Sequence, residues 1–325
     1  MRILVTGATG FLGGRLCRRL IEAGHEVVGL GRNLDKGREL GRAGVRFVSC
    51  DLGVDPGAAL TDKIGAADAF VHAAALSSPW GPRVAFMRAN LTGTRTAMAM
   101  ARSAGARRFV FISSPSVCFR FADQLHVSED EPFPRPVNFY AESKQLAERE
   151  VLAATDLSPM VLRPRAIYGP GDTALLPRLI RAAKAGPLPL LRGGEARSNL
   201  THVDDVVRAI EMALDAPAGL VGRVFNIAGE AVKLRLVVEQ AAARAGIAVR
   251  WRQLPWPLAL GAARTIEAVA RLWPGSSEPP VTAYGLGLLA FTHTLDVSAA
   301  RAALGFEAAV SFEDGLARTL AGKMT

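Results

Sequence analysis

Cysteine is scarce in this chain: Cys17, Cys50 and Cys118 stand far apart, with no CxxC pair and no even-numbered set. That excludes a disulfide scaffold and a cysteine-based zinc site, and it makes a reduced, cytoplasmic setting the simplest expectation. No His/Asp/Glu cluster has ligand spacing, so no metal is expected. Concentrated charge is missing too. The 39 Lys plus Arg outnumber the 30 Asp plus Glu, but they are dispersed, with only pairs such as Arg18-Arg19 and Arg107-Arg108, and aromatics make up just 6%. A nucleic-acid surface gathers its charge into a stripe, so no nucleic-acid partner is expected, whereas an anionic cofactor or substrate fits the excess. Ile3-Leu4-Val5 follows Met1 almost directly, which leaves no export leader visible. The longest stretch without a charged residue, Pro279 to Leu295, is broken by Pro280, Gly285 and Gly287. It falls short of the ~20 apolar residues of a transmembrane helix. That stretch and Leu254–Ala263 fit the lining of an apolar pocket better than peripheral contact with a membrane surface.

What is present is a hydrophobic half of the residues spread over 325 positions. That is enough for about two domains, or for one large α/β unit with an elaborated lobe, at roughly 150 residues per domain. Brief apolar runs at Ile3–Thr6, Glu26–Leu30, Arg46–Cys50, Ala69–His72, Phe109–Ser113 and Met160–Arg163 read as buried strands. Segments of helical length, Leu12–Ala23, Val84–Ala104 and Tyr140–Thr155, alternate with them. This alternation predicts an α/β fold: a doubly wound parallel sheet of Rossmann type, with a ligand at its carboxyl edge. The dinucleotide-binding domain is expected over residues 1–170 and a smaller, mostly helical substrate lobe over 171–325, with residues 200–228 returning to the first domain.

The first strand runs straight into Gly7-Ala8-Thr9-Gly10-Phe11-Leu12-Gly13 and then into a helix. Glycines here allow a tight turn and close backbone approach, and the helix start offers unpaired N–H groups to a pyrophosphate. An acid closing the second strand would bind an adenosine ribose and repel a 2′-phosphate. That place is held by Gly31, followed by Arg32 with Lys36 and Arg38 behind it. A guanidinium fork suits a phosphate, so NADP(H) is expected over NAD(H).

Tyr140 and Lys144 lie four residues apart, on one face of a helix, and Ser114 ends a predicted strand upstream. An ammonium beside a phenol favours phenolate, so the trio suits proton transfer to a carbonyl oxygen that a serine positions. Ser113, Ser114 and Ser116 crowd the same turn, and these residues alone leave the choice among them open.

With these motifs assembled, the chain resembles the extended short-chain dehydrogenase/reductases over nearly its whole length. TGATGFLGG at 6–14, Asp51-Leu52, His72-Ala73-Ala74-Ala75, Asn90 in Ala-Asn-Leu-Thr-Gly-Thr, Ile112-Ser113-Ser114, the Tyr140 to Lys144 motif, Leu162 to Asp172 and Thr201-His202-Val203-Asp204-Asp205 stand in that family's order. The resemblance implies that Ser114 orients the carbonyl, because it stands three residues before Val117-Cys118, where the family has Val-Tyr. It implies that Tyr140 moves the proton and that Lys144 also binds the nicotinamide ribose. It further implies cofactor contacts from Gly7, Thr9, Gly10, Phe11, Leu12, Gly13, Asp51, Leu52, Ala73, Ala74, Asn90, Pro164 and Ile167, and a homodimer through the helices holding Asn90 and Tyr140. His72, His202, Asp204 and Asp205 read as structural groups.

Ala166 stands where sugar-nucleotide epimerases of the family often have Asn, and no acidic residue follows Ser114 to assist dehydration. Leu162–Asp172, Leu175–Leu179 and Leu295–Phe306 resemble the 3β-hydroxysteroid dehydrogenase branch. That branch implies hydride transfer to or from a hydrophobic substrate, a 3β-hydroxysteroid or a long-chain 3-oxo acid. Trp251, Leu254, Trp256, Leu258, Trp273, Leu286, Leu288, Leu289 and Phe291 make the lobe apolar; most of them are expected in its core, and Ser77–Trp80 is a loop candidate for the pocket. The alternatives are a nucleotide-sugar epimerase or reductase and a non-catalytic NADP(H) sensor.

Overall fold

In the computed structural model, which describes residues 1–55, 60–272 and 278–321, seven strands form one parallel sheet. Their order across the sheet is Val224–Ile227, Pro159–Pro164, Phe109–Ile112, Ala69–His72, Arg2–Thr6, Glu26–Gly31 and Arg46–Ser49. The chain starts in the interior, runs outward to one edge, then returns to build the other half. The reversal lies between Arg2–Thr6 and Ala69–His72, and the crevice beyond their carboxyl ends is where doubly wound sheets bind ligands.

Strand periodicity builds the two cores directly. Ile3, Val5, Val27, Ala69, Val71, Val110, Ile112, Met160 and Leu162 face one layer, made with Leu16 and Leu20 of helix Phe11–Glu22 and Val206 and Ile210 of helix Val203–Asp215. The intervening Leu4, Val28, Phe70, Phe109, Phe111 and Val161 face the other, with Ala97 and Ala101 of helix Gly93–Ser103 and Ala147 and Val151 of helix Phe139–Ala153. Because both faces are covered, the strands read as continuous apolar runs rather than as alternating ones.

Three expectations change. The segment expected as one helix over Val84–Ala104 is α-helical at Arg83–Phe86, widens into a π-helical turn at Met87–Thr92, and resumes as α-helix at Gly93–Ser103. The lobe adds a four-stranded sheet to its helices: Ala231–Lys233, Arg197–Asn199, His293–Leu295 and Gln124–Val127. Three of these strands have only three residues each, too few to display a period of two. Finally, Ala300 and Phe306, from the last part of the chain, pack into the first sheet core beside Val206 and Phe225. No helix among the described residues is long and apolar enough to cross a membrane.

Candidate active site

The glycine turn is shaped by contacts that only glycine permits. Gly7 has φ +70°, and a Cβ there would lie 2.8 Å from the Ala74 nitrogen and 2.9 Å from the Ala73 carbonyl carbon. A Cβ on Gly13 would overlap the Gly7 carbonyl, so the helix start sits directly on the turn. Gly10 caps helix Phe11–Glu22 without any side-chain hydrogen bond, which leaves the first-turn amides for an anion. This cradle fits a dinucleotide pyrophosphate. Thr9 packs on Gly31, at the end of the second strand, where a Cβ would meet its hydroxyl at 2.7 Å. Arg32 projects from the next position with its side chain 74% exposed and 3.8 Å from Asp51, while Asp51 accepts from the Gly53 amide. Phe11 is half-buried; Leu12 and Leu52 pack against the first and second sheet cores respectively.

His72 is fully buried between Thr6, 2.7 Å from Nδ1, and Thr94, 3.0 Å from Nε2, and burial holds its pKa down at about 3. It is a neutral strut beneath the crevice. Asn90 lies in the π-helical turn with its whole amide engaged: Oδ1 accepts from the Leu76 amide at 2.7 Å, and Nδ2 donates to the Leu76 carbonyl and to Ser143 Oγ. It thereby ties the segment after Ala74 to the helix that carries Tyr140. His202 is buried as well, its Nδ1 accepting from the Asp204 amide; Asp204 pairs with Arg15, and Asp205 holds the Ala309 and Val310 amides.

That helix begins where it does because Asn138 caps it, its side-chain oxygen accepting from the Ala141 amide at 2.8 Å. Tyr140 therefore falls in the first turn, and Lys144 and Glu148 follow on the same face. The structure separates the three serines. Ser113 is buried and donates to Glu148; Ser114 accepts from the Ser116 hydroxyl at 3.0 Å and is the side-chain hydrogen-bond partner of Tyr140. Cys118 turns into the core, 3.8 Å from an Arg163 amino group, so the departure from the family's Tyr does not open onto the trio.

The electrostatics correct one expectation. Burial pushes the Tyr140 hydroxyl up to about 12, only partly offset by Ser114, and Lys144 contributes nothing. The reason is placement: the Lys144 ammonium donates to the Ile112 carbonyl at 2.6 Å and lies 4.0 Å from the Phe111 ring centre. Burial drives Lys144 itself down to about 7 from 10.5, with Glu148 opposing. A lysine depressed on folding binds fewer protons in the native state than in the unfolded state between those two values, so its contribution to stability rises with pH across that window. Denaturant titrations of the cofactor-free protein at pH 7, 8 and 9 are expected to show this rise, and Lys144→Met is expected to flatten it. Parallel pH profiles for the two proteins would remove Lys144 as its source.

Beyond Tyr140 lies a wall of rings. Tyr284 interacts with Tyr140 and packs edge-on to Phe119 at 5.4 Å; Phe119 meets Phe121 at 5.7 Å, and Phe121 meets Trp256 at 5.9 Å. Gly287 lets helix Ala283–Ala290 lie this close, since a Cβ there would stand 2.6 Å from Phe121. Leu254, Trp256, Leu286, Leu289 and Phe291 form the lobe core with Phe121. Leu288 is half-buried, Leu258 faces solvent, Trp251 donates to Glu239 in a separate cluster, and Trp273 lies outside the described residues. In the Ser77–Trp80 loop, Trp80 and Phe139 share the guanidinium of Arg271 from the lobe helix, at 5.5 and 5.7 Å. Pro164 ends its strand in the core, and Ile167 pairs with Thr201, whose hydroxyl donates to the Arg165 carbonyl. Tyr284, Phe119 and Arg165 carried no local signal beyond the Leu162–Asp172 motif, because only the tertiary fold brings them to Tyr140.

The described residues contain no group of three or more potential metal ligands. The profile described as the NAD dependent epimerase/dehydratase family matches residues 3–228. The 2-alkyl-3-oxoalkanoate reductase of Stenotrophomonas maltophilia is 36% identical over 98% of this chain and 98% of its own length. The 4-hydroxy-2-methyl-3-oxo-4-farnesyl-3,4-dihydroquinoline-1-oxide ketoreductase of Stigmatella aurantiaca is 32% identical over 97% and 95%. Among solved structures, MoeE5 in complex with UDP-glucuronic acid and NAD superimposes with a TM-score of 0.73 at 29% identity, covering 99% of both chains. A glycine cradle at the sheet's switch point, with a Ser-Tyr-Lys trio beside it, thus accompanies similarity along the whole chain, and the protein belongs to the NAD dependent epimerase/dehydratase family of extended short-chain dehydrogenase/reductases, in the 3β-hydroxysteroid dehydrogenase-like branch, as an oxidoreductase that uses a nicotinamide cofactor.

Proposed function

We propose that this protein is an NADP(H)-dependent oxidoreductase that moves a hydride between the nicotinamide and a secondary alcohol or ketone on a hydrophobic molecule. The observation that carries the reading is the Tyr140 hydroxyl, hydrogen-bonded to Ser114 and backed by a wall of rings rather than by polar handles for a sugar. When bound, the reduced nicotinamide supplies the hydride to the carbonyl carbon. Tyr140 gives its phenolic proton to the carbonyl oxygen, which becomes the alcohol. Ser114 holds that oxygen in line by a second hydrogen bond, and Lys144, one helical turn away, is the group that would hold the nicotinamide ribose. A tyrosine held near 12 is protonated at neutral pH and a reluctant acid, so in the free chain this arrangement keeps the proton that reduction consumes.

Preference for the phosphorylated cofactor rests on Gly31 and Arg32. No acid closes the second strand, and the Arg32 side chain is mostly exposed, with Asp51 3.8 Å away. The relatives support the same substrate type, since both are named for 3-oxo compounds that carry an alkyl or a farnesyl group.

Following NADPH absorbance with a 3-oxosteroid, a long-chain 3-oxo acid and a UDP-4-keto sugar, each repeated with NADH, tests the proposal. Oxidation with an apolar ketone, faster with NADPH, is the expected result. Arg32→Ala is expected to reduce the NADPH-to-NADH ratio of kcat/KM by about 10- to 100-fold, the worth of a charge-assisted pair. Turnover of the sugar nucleotide alone would establish the epimerase or reductase alternative. Tight NADPH binding without turnover of any ketone would favour a sensor.

A further inference from the structure

Arg163 and Arg165 are two residues apart and both are buried, at 3% and 7% exposure, yet their surroundings are opposite. Arg163 is paired with Glu148 at 2.5 Å. Arg165 has no carboxylate partner among the described residues: its Nε donates to Ser198 Oγ at 2.9 Å, and its other polar side-chain partner is the Tyr284 hydroxyl, both neutral. Guanidinium does not shed its proton in a protein, so burial here leaves a positive charge without a counter-ion.

A second orphan adjoins it. His293 is fully buried, faces Ser198 in the strand register and packs edge-on to Phe119 at 5.5 Å, and neither of its ring nitrogens has a hydrogen-bond partner. Burial and the Arg165 charge keep this ring neutral, which leaves it an N–H to donate. Both orphans adjoin the wall of rings beside the trio: His293 and Tyr284 each pack edge-on to Phe119, at 5.5 and 5.4 Å, and Tyr284 is a side-chain hydrogen-bond partner of Arg165. Tyr284 also acts on Tyr140.

We propose that Arg165, with His293 beside it, is the anchor for a carboxylate on the substrate, placed one carbon beyond the neighbour of the reacting carbonyl, so that the enzyme selects 3-oxo or 3-hydroxy acids over uncharged ketones and alcohols. The inference rests on the reductase reading above and narrows it. The fork of Arg165 matches a carboxylate in two parallel hydrogen bonds, and the rings of Phe119, Phe121 and Trp256 face the alkyl part. An acid bound this way supplies the missing counter-ion and presents its 3-oxo group to Tyr140. A diphosphate would need more cationic donors than this one buried arginine.

The test compares 3-oxododecanoate with 2-undecanone, its uncharged counterpart, as substrates with NADPH. Wild type is expected to favour the acid in kcat/KM by about 100-fold, and Arg165→Gln to collapse that ratio towards one, mainly through KM for the acid. Arg165→Lys, which keeps the charge but loses the fork, should fall between them. An unchanged ratio in Arg165→Gln, or equal use of the two substrates by wild type, overturns the anchor while leaving the reductase standing. Failure of every ketone to be reduced overturns the reductase reading itself.

A binding arm needs no variant to fold. Dodecanoate is expected to inhibit wild type at least about 10-fold more tightly than 1-dodecanol. Equal inhibition, or thermal protection by UDP but not by dodecanoate, overturns the carboxylate assignment.

Discussion

Tyr140→Phe is expected to lower kcat by roughly 10²- to 10⁴-fold, the usual contribution of a positioned proton donor. The hydroxyl removed is the one hydrogen-bonded to Ser114, and no other phenol is placed to replace it, since Tyr284 is engaged with Arg165. The ring itself remains, half-buried and 6.4 Å from Phe86, so the packing at the start of the helix survives. NADPH affinity, followed by fluorescence titration, is therefore expected to change little while turnover collapses. Ser114→Ala should give a smaller loss, because it removes the oxygen's positioning partner and not the proton. Full activity in Tyr140→Phe would assign the proton to another group.

The second large effect is on stability. Glu148 and Arg163 form a bidentate pair that is 0% and 3% exposed at its side chains, and Ser113 donates to the same carboxylate. Glu148→Ala leaves a guanidinium in the core with its main acceptor gone, which costs about 3–5 kcal/mol. Arg163 retains the Glu129 carbonyl, the Cys118 sulfur and ring contact with Phe133, none of which replaces the lost carboxylate. Removing both charges in Glu148→Leu with Arg163→Met is expected to recover most of that loss, because an apolar pair of similar volume avoids the desolvation of two ions. Urea denaturation of the single and double variants measures this. Equal destabilisation by both would mean that packing, and not charge, governs the site. Glu148 also supports the basicity of Lys144 one turn earlier, so Glu148→Gln should shift the pH dependence of Lys144 as well as weaken the fold.

The legible parts of the site are those whose chemistry is written in consecutive residues. The glycine turn was readable because the collisions that demand glycine at Gly7 and Gly13 come from its own loop and from the strand end at Ala73-Ala74. The Tyr140 and Lys144 pair was readable from a spacing of four, and Glu148 continued the same series, although only its contact with Arg163 gives it meaning. The broken helix at Met87–Thr92 was not readable. Asn90 sits in that widened turn, and the partners of its amide, Leu76 and Ser143, lie outside the helix.

Ala166 illustrates the boundary between the two kinds of information. Its type was noted for lacking a polar handle; its backbone, at φ +44°, was invisible until folded. A left-handed conformation costs an L-residue with a Cβ about 1–2 kcal/mol, and asparagine tolerates it better, which gives a backbone reason for the Asn that the family often has there.

The sequence by itself determined the doubly wound sheet, the cofactor cradle and the Tyr-x-x-x-Lys helix, because each follows from local periodicity and from turn chemistry within a few residues. Only the tertiary structure decided which serine meets Tyr140, where the Lys144 ammonium points, and that Arg165, Tyr284 and His293 converge without a counter-charge. Those outcomes depend on which distant groups share a buried space, and burial sets the free energy of a charge or a hydrogen bond far more strongly than the identity of its neighbours along the chain.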